Sequence, residues 1–132
     1  MIPQIGESSS RSGQVPIYRA ASPDEKALVE QAARWRWIFS AKSGNVLTVT
    51  ENGRKEQYTI LDVLAFSSER MRMSVLARAP SGSILMLCKG ADEVIFQRLA
   101  AGQDEAVHQT KEAVSAFASE GLRTLCFAFK VR

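Results

Sequence analysis

The sequence predicts an α+β domain in which an antiparallel β-sheet is flanked by helices. Three observations predict it. Short runs rich in β-branched and aromatic residues follow one another through the middle of the chain. The turns between them are too short for a crossover, so neighbouring strands must run antiparallel. Segments of helical period lie before and after these runs.

The elements follow in order. Residues 1–15 are rich in Ser, Gly, Gln and Pro and lack periodicity, which predicts a flexible lead-in. Residues 16–20 read as a short extended segment. Ser22-Pro23-Asp24-Glu25 is a helix start: Ser22 fits the N-cap, Pro23 the first helical position, and Glu25 the third, completing a capping box. Leu28, Ala32 and Trp35 continue at helical spacing, so the helix is expected to reach residue 35. Trp35 and Trp37 are expected to pack between this helix and the next strand.

Strands are expected over residues 37–41, 46–51, 57–66, 72–79 and 83–89. Asn52-Gly53 is a two-residue hairpin signal, and residues 80–83, Pro-Ser-Gly-Ser, form a second turn. Residues 91–100 then predict a short helix and residues 104–120 a longer one, with Val107, Val114, Phe117 and Ala118 on one face. Gly121 fits the position just past its end. Residues 122–131 predict a last strand with Leu125, Phe127 and Phe129 on one face. No repeat or internal linker interrupts residues 16–132, and 132 residues is the size of one domain.

Composition narrows the function. Apolar residues make up 45% and charged residues 23%, as in an ordinary globular domain. The net charge of +3 comes from scattered basic residues, which favours a solvated surface with a local anion site over a nucleic-acid stripe. Two cysteines, Cys88 and Cys126, and one histidine, His108, offer no zinc-ligand spacing. Both cysteines lie in apolar runs, where a reduced, buried thiol is expected. No stretch approaches the ~18 apolar residues of a membrane span, and the start of the chain lacks a signal-peptide core.

Four stretches carry chemistry. In the first, a helix cap explains Ser22 to Glu25, yet Glu25 or its neighbour Asp24 can also accept a hydrogen bond from a ligand amine such as that of adenine. The second runs from Phe66 to Ser74. Phe66 ends a strand before a polar turn; it is either a core residue or an exposed ring on which a purine stacks for ~1–3 kcal/mol, with Met73 as a mouldable wall beside it. In the third, Lys89 ends an apolar run, and Gly90 and Ala91 leave room for a ligand to approach the ammonium. In the fourth, Gly121 ends a helix and Arg123 opens the next strand, where a guanidinium can grip a phosphate.

In order and spacing these stretches resemble the nucleotide-binding domain of P-type ATPases. YRAASPDEKALVEQAAR, LAFSSERMRMSVLARAPSGSI, LCKGADEVIFQRL and ASEGLRTLCFAF are similar to its type IV, phospholipid-flippase branch. The resemblance covers residues 16–130. Asp92 stands after Lys-Gly-Ala where the family's cation pumps usually carry proline, and SPDEKALV is the flippase form of the first helix.

The resemblance implies roles. Phe66 stacks on adenine, Glu25 receives its amine, Lys89 lies beside the nucleotide, and Arg123 neutralises phosphate; Asp24, Ser67, Met73 and Thr124 are secondary candidates. It also implies an ATP-holding domain of a lipid-translocating enzyme, presenting the γ-phosphate to an aspartate on a separate phosphorylation domain that supplies most of the Mg2+ binding. Expected partners are the phosphorylation and actuator domains and, for the parent, an accessory membrane glycoprotein. The setting is the cytosolic face of a membrane. The family's DKTGT motif, with the phosphorylated aspartate, and its magnesium-holding Gly-Asp motifs do not occur in this sequence. The chain is therefore expected to be a monomeric fragment without hydrolytic activity of its own. Its expected ATP dissociation constant is on the order of 0.1 mM to several mM.

One position departs from the family pattern. Flippases commonly read Arg-Lys-Arg-Met-Ser, and here Met71 replaces the lysine between Arg70 and Arg72. The rival readings are another P-type subfamily, a basic α+β RNA-binding module, and a ligand-free scaffold. The first reading excludes nucleic acid as a partner.

Overall fold

The computed structural model describes residues 4–5 and 16–132. The elements are β1 (Gln4–Ile5), β2 (Tyr18–Arg19), α1 (Pro23–Arg34), β3 (Trp37–Ser43), β4 (Val46–Glu51), β5 (Arg54–Leu64), β6 (Arg72–Arg78), β7 (Ile84–Gly90), α2 (Asp92–Phe96), α3 (Asp104–Ser119) and β8 (Cys126–Val131). Strands β3 to β8 lie in sequence order in one six-stranded sheet, so the α+β antiparallel class holds. The lead-in expected over residues 1–15 lies outside the described residues except for β1, which pairs antiparallel with β2. By their internal contacts the residues form two compact units. One is Met1–Leu61 with Ala77–Ile84; the other is Asp62–Leu76 with Leu85–Arg132.

The first unit is built on α1 and the β3–β4–β5 meander. Ser22 caps α1 as expected: its Oγ accepts the Glu25 N–H at 3.2 Å, and Pro23 opens the helix. The helix ends when Arg36 turns left-handed, at φ 67°. Trp35 closes its last turn and is 71% exposed, so the packing expected of this ring is not formed among the described residues.

The core of this unit is Tyr18, Ala33 and Phe39, with Val29, Ile38 and Leu47 around it. Tyr18 is only 1% exposed. Its ring stacks on Phe39, centroids 6.2 Å apart, and its hydroxyl donates to the Phe39 carbonyl at 3.0 Å. The short segment around Tyr18 is thereby anchored to β3.

The meander uses two tight turns. Glu51 pairs with Arg54 across Asn52-Gly53, whose φ values of 48° and 87° are those a primed hairpin turn demands. Ser43 pairs with Val46 across Gly44-Asn45, so β3 runs two residues past its expected end. A register shift between Phe39 and Ala41 inserts Ser40 as an extra residue, and its hydroxyl donates to the Thr48 carbonyl at 3.2 Å.

In the second unit, β7 and β8 pair in register from Leu85 opposite Val131 to Gly90 opposite Cys126. Lys89 and Phe127 therefore share one sheet face, and Gly90 and Cys126 the other. Cys126 is buried, and burial, with Asp92 nearby, pushes its thiol pKa up. Cys88 is only half-buried, less enclosed than expected.

The largest departures from expectation are at two element ends. Helix α2 stops at Phe96 rather than residue 100. Tighter bonds replace its ladder there, Arg98 N–H to Ile95 O and Leu99 N–H to Phe96 O. Helix α3 ends as expected: Gly121, at φ 76°, donates to Ala118 O, and Leu122 donates to Phe117 O. These two bonds form a Schellman motif. Strand β8, however, starts only at Cys126, so Leu122 and Leu125 lie before it. On α3, Val107 and Val114 are half-buried, whereas Phe117 and Ala118 are exposed.

Candidate functional site

Six of the eight predicted site residues fall in the second unit: Phe66, Ser67, Met73, Lys89, Arg123 and Thr124. Asp24 and Glu25 fall in the first turn of α1, in the first unit, and both are half-buried. One Glu25 carboxylate oxygen, Oε2, is shielded from solvent.

Phe66 does not end a strand. Strand β5 stops at Leu64, and Phe66 lies two residues beyond, at the head of the turn. The ring is 63% exposed, which removes the core reading of this residue. An aromatic ring left this far in water offers a free face to a flat ligand.

The turn that carries it is closed by its own backbone. Ser67 O accepts the Met71 N–H at 2.8 Å, and Ser67 Oγ accepts the Arg70 N–H at 3.2 Å. Met71 completes the reversal at φ 50°, a left-handed conformation in which a side chain costs ~1–2 kcal/mol. The Arg70 guanidinium fills the inside of the loop. Its Nη1 donates to Ala65 O at 2.7 Å, Leu64 O at 3.0 Å and Arg72 O at 3.4 Å, and its Nη2 donates to Ser74 Oγ at 3.3 Å.

The end of β7 is fastened to the same turn. Ala91 N–H donates to Met71 O at 3.1 Å. Gly90 is buried against it: a Cβ there would stand 2.5 Å from Met71 O and 2.7 Å from Arg72 Cβ. The space expected beside Gly90 for a ligand is thus taken by the chain's own backbone. What the glycine permits is a close crossing that places half-buried Lys89 one residue from the anchored turn.

Arg123 and Thr124 do not begin a strand. They lie in the stretch between the Schellman turn of α3 and the start of β8, Arg123 exposed and Thr124 half-buried. Met73 is buried in β6 and presents little surface to any ligand. Ser74, next to it, is also buried; its Oγ lies 3.4 Å from Cys88 Sγ. A shallow hollow of about 560 Å³ along α3, lined by residues such as His108 and Lys111, contains none of the candidates.

Sequence reasoning missed Arg70. An arginine in a polar turn normally reads as solvated; only the clustering of Leu64, Ala65, Arg72 and Ser74 around it shows its task. Among the described residues no group of three or more His, Cys, Asp or Glu is placed to hold a metal, and no helix is long and apolar enough to cross a membrane.

The description "P-type ATPase, cytoplasmic domain N" matches residues 8–131. Similar curated proteins include mouse (Mus musculus) phospholipid-transporting ATPase IC, 47% identical over 113 residues. Human (Homo sapiens) phospholipid-transporting ATPase IK is 45% identical over 114 residues. Phospholipid-transporting ATPase C4F10.16c of Schizosaccharomyces pombe is 43% identical over 112. These matches cover 85–86% of the chain but only 8–9% of the relatives' own length.

Proposed function

The chain belongs to the P-type ATPases, as their cytoplasmic domain N, and from that premise we propose that it holds ATP for a phospholipid-translocating enzyme. The observation that carries this reading is the exposed Phe66 ring on a turn anchored to the end of β7 beside Lys89. The purine stacks on Phe66, and Ser67 borders it. Lys89 supplies a point charge close to the nucleotide, and Arg123 meets phosphate with a fork of donors. Thr124 is a neighbouring hydroxyl. Asp24 and Glu25 enter this reading through the family resemblance, with Glu25 accepting the adenine amine.

Held by its base, ATP leaves its γ-phosphate free to meet an aspartate on a separate phosphorylation domain, which supplies most of the Mg2+ coordination. Phosphoryl transfer depends on placing reactants and stabilising charge, so delivery is itself a catalytic contribution. Residues 16–132 act as the ATP-holding domain and bind weakly without hydrolysing. Lipid translocation, the actuator domain and an accessory membrane glycoprotein belong to the parent enzyme, whose cytosolic face carries this domain.

Weak binding still leaves a measurable trace. ATP at tenfold its dissociation constant adds about 1.4 kcal/mol to the stability of a one-site binder. A thermal melt with and without millimolar ATP tests this: a concentration-dependent rise supports the reading. An unchanged melting temperature up to about 10 mM ATP, beyond the expected range, speaks against it.

A further inference from the structure

We infer that Arg70 is the positioning residue of the adenine site: it sets the Phe66 ring by tying together both arms of the loop that carries it. The inference rests on the ATP-holding reading above.

Most of the Phe66 ring lies in solvent, so packing does not fix its direction. Its backbone must. Arg70 grips that backbone on the way in, at Leu64 O and Ala65 O, and on the way out at Arg72 O, with the Ser74 hydroxyl as a further acceptor. The tightest of these bonds, 2.7 Å, falls on the residue directly before Phe66. The planar guanidinium spreads its donors over two nitrogens, Nη1 serving carbonyls of both arms and Nη2 adding Ser74 Oγ; a lysine ammonium, a point charge on one nitrogen, lacks that second reach. The Ala91 bond to Met71 O holds the far end of the same loop. A ring presented in one direction binds a flat base without first being ordered, which is preorganisation. Because the guanidinium is spent on carbonyls and the Ser74 hydroxyl inside the loop, Arg70 acts through Phe66 and differs in kind from a phosphate ligand.

The test uses this chain with Arg70→Met, Arg70→Lys and Phe66→Ala, titrated with ATP and with adenosine and followed by amide NMR. Backbone exchange over residues 65–71 is measured without nucleotide. Expected for Arg70→Met are a folded spectrum, faster exchange in the loop, and roughly fivefold or greater weakening of ATP and adenosine alike, independent of salt. Arg70→Lys keeps the charge but not the fork, and is expected to bind as poorly. Wild-type affinity in either variant, with Phe66→Ala still impaired, overturns the positioning role and leaves the stacking site standing. Loss of ATP but not adenosine binding, shrinking as salt rises, makes Arg70 a phosphate ligand and overturns it too. If the unsubstituted chain binds neither ligand, the ATP reading itself fails and this inference with it.

Discussion

Phe66→Ala separates binding from folding. A core phenylalanine truncated to alanine costs ~3–5 kcal/mol. With the ring 63% exposed, most of that burial is lacking, and the expected cost in stability is about 1 kcal/mol, a few degrees in melting temperature. The loss in binding is of a different size. A stacked base contributes ~1–3 kcal/mol, so removing the ring weakens ATP by roughly 5- to 150-fold. From a starting constant near 1 mM, that places the variant beyond practical saturation. Isothermal calorimetry or NMR titration gives the affinity, and a thermal melt gives the stability. Unaltered ATP affinity in a folded variant would refute the stack. A collapse of the fold would show that the ring supports structure despite its exposure.

Other perturbations read separate parts of the molecule. Gly90→Ala forces a Cβ to within 2.5 Å of Met71 O, and is expected to cost ~1–3 kcal/mol in a denaturant melt; a neutral result would show that the crossing has slack. Met71 is 47% exposed, so Met71→Lys should change stability by less than ~0.5 kcal/mol. If phosphate lies nearby, the added charge tightens ATP by about two- to fivefold at low salt and not at high salt; equal tightening in both would discount the electrostatic cause. Tyr18 has its hydroxyl pKa raised, chiefly by burial. The folded state therefore holds its proton above the unfolded pKa of about 10. Stability from this group is complete below pH 10 and falls as pH rises through the raised value. Tyr18→Phe should flatten that decline in alkaline melts and cost about 1 kcal/mol at neutral pH; an unchanged alkaline slope would assign it to Tyr58, also shifted upward. Cys126, buried and with a raised pKa, should alkylate far more slowly than Cys88 at pH 8, as peptide mass spectrometry can report.

Much of the fold was legible because turns and caps are written locally. Ser22 supplies a side-chain acceptor to the helix start, Pro23 a preset φ, and Asn52-Gly53 and Gly121 the positive φ of their turns, and each is where it was expected. Strand ends were less legible, since a ladder stops where its partner stops. Leu122 to Leu125 has the composition of a strand, yet the Schellman turn of α3 delays pairing until Cys126. Gly44-Asn45 is a weaker hairpin signal than Asn52-Gly53 and does not by itself fix the end of β3. Tyr18 gave no sign of its burial: one aromatic residue in a short segment has no periodicity to reveal a face. At the candidate site, the residue types were readable but their settings were not. Phe66 reads as a strand end and belongs to a turn, and the room at Gly90 is filled by Met71 and Arg72. Arg70 makes all but one of its contacts to carbonyls, which every residue possesses, so the pattern of side chains hardly marks it.

An ATP titration of the isotope-labelled chain, mapped on its backbone amides, bears most directly on whether this domain grips nucleotide through the Phe66 turn. The account predicts saturable shifts concentrated at residues 66–67, at Lys89 to Ala91 and around Arg123, with a millimolar-range midpoint. Saturating ATP that moves none of these amides, or moves only a distant patch such as the surface of α3, would contradict it.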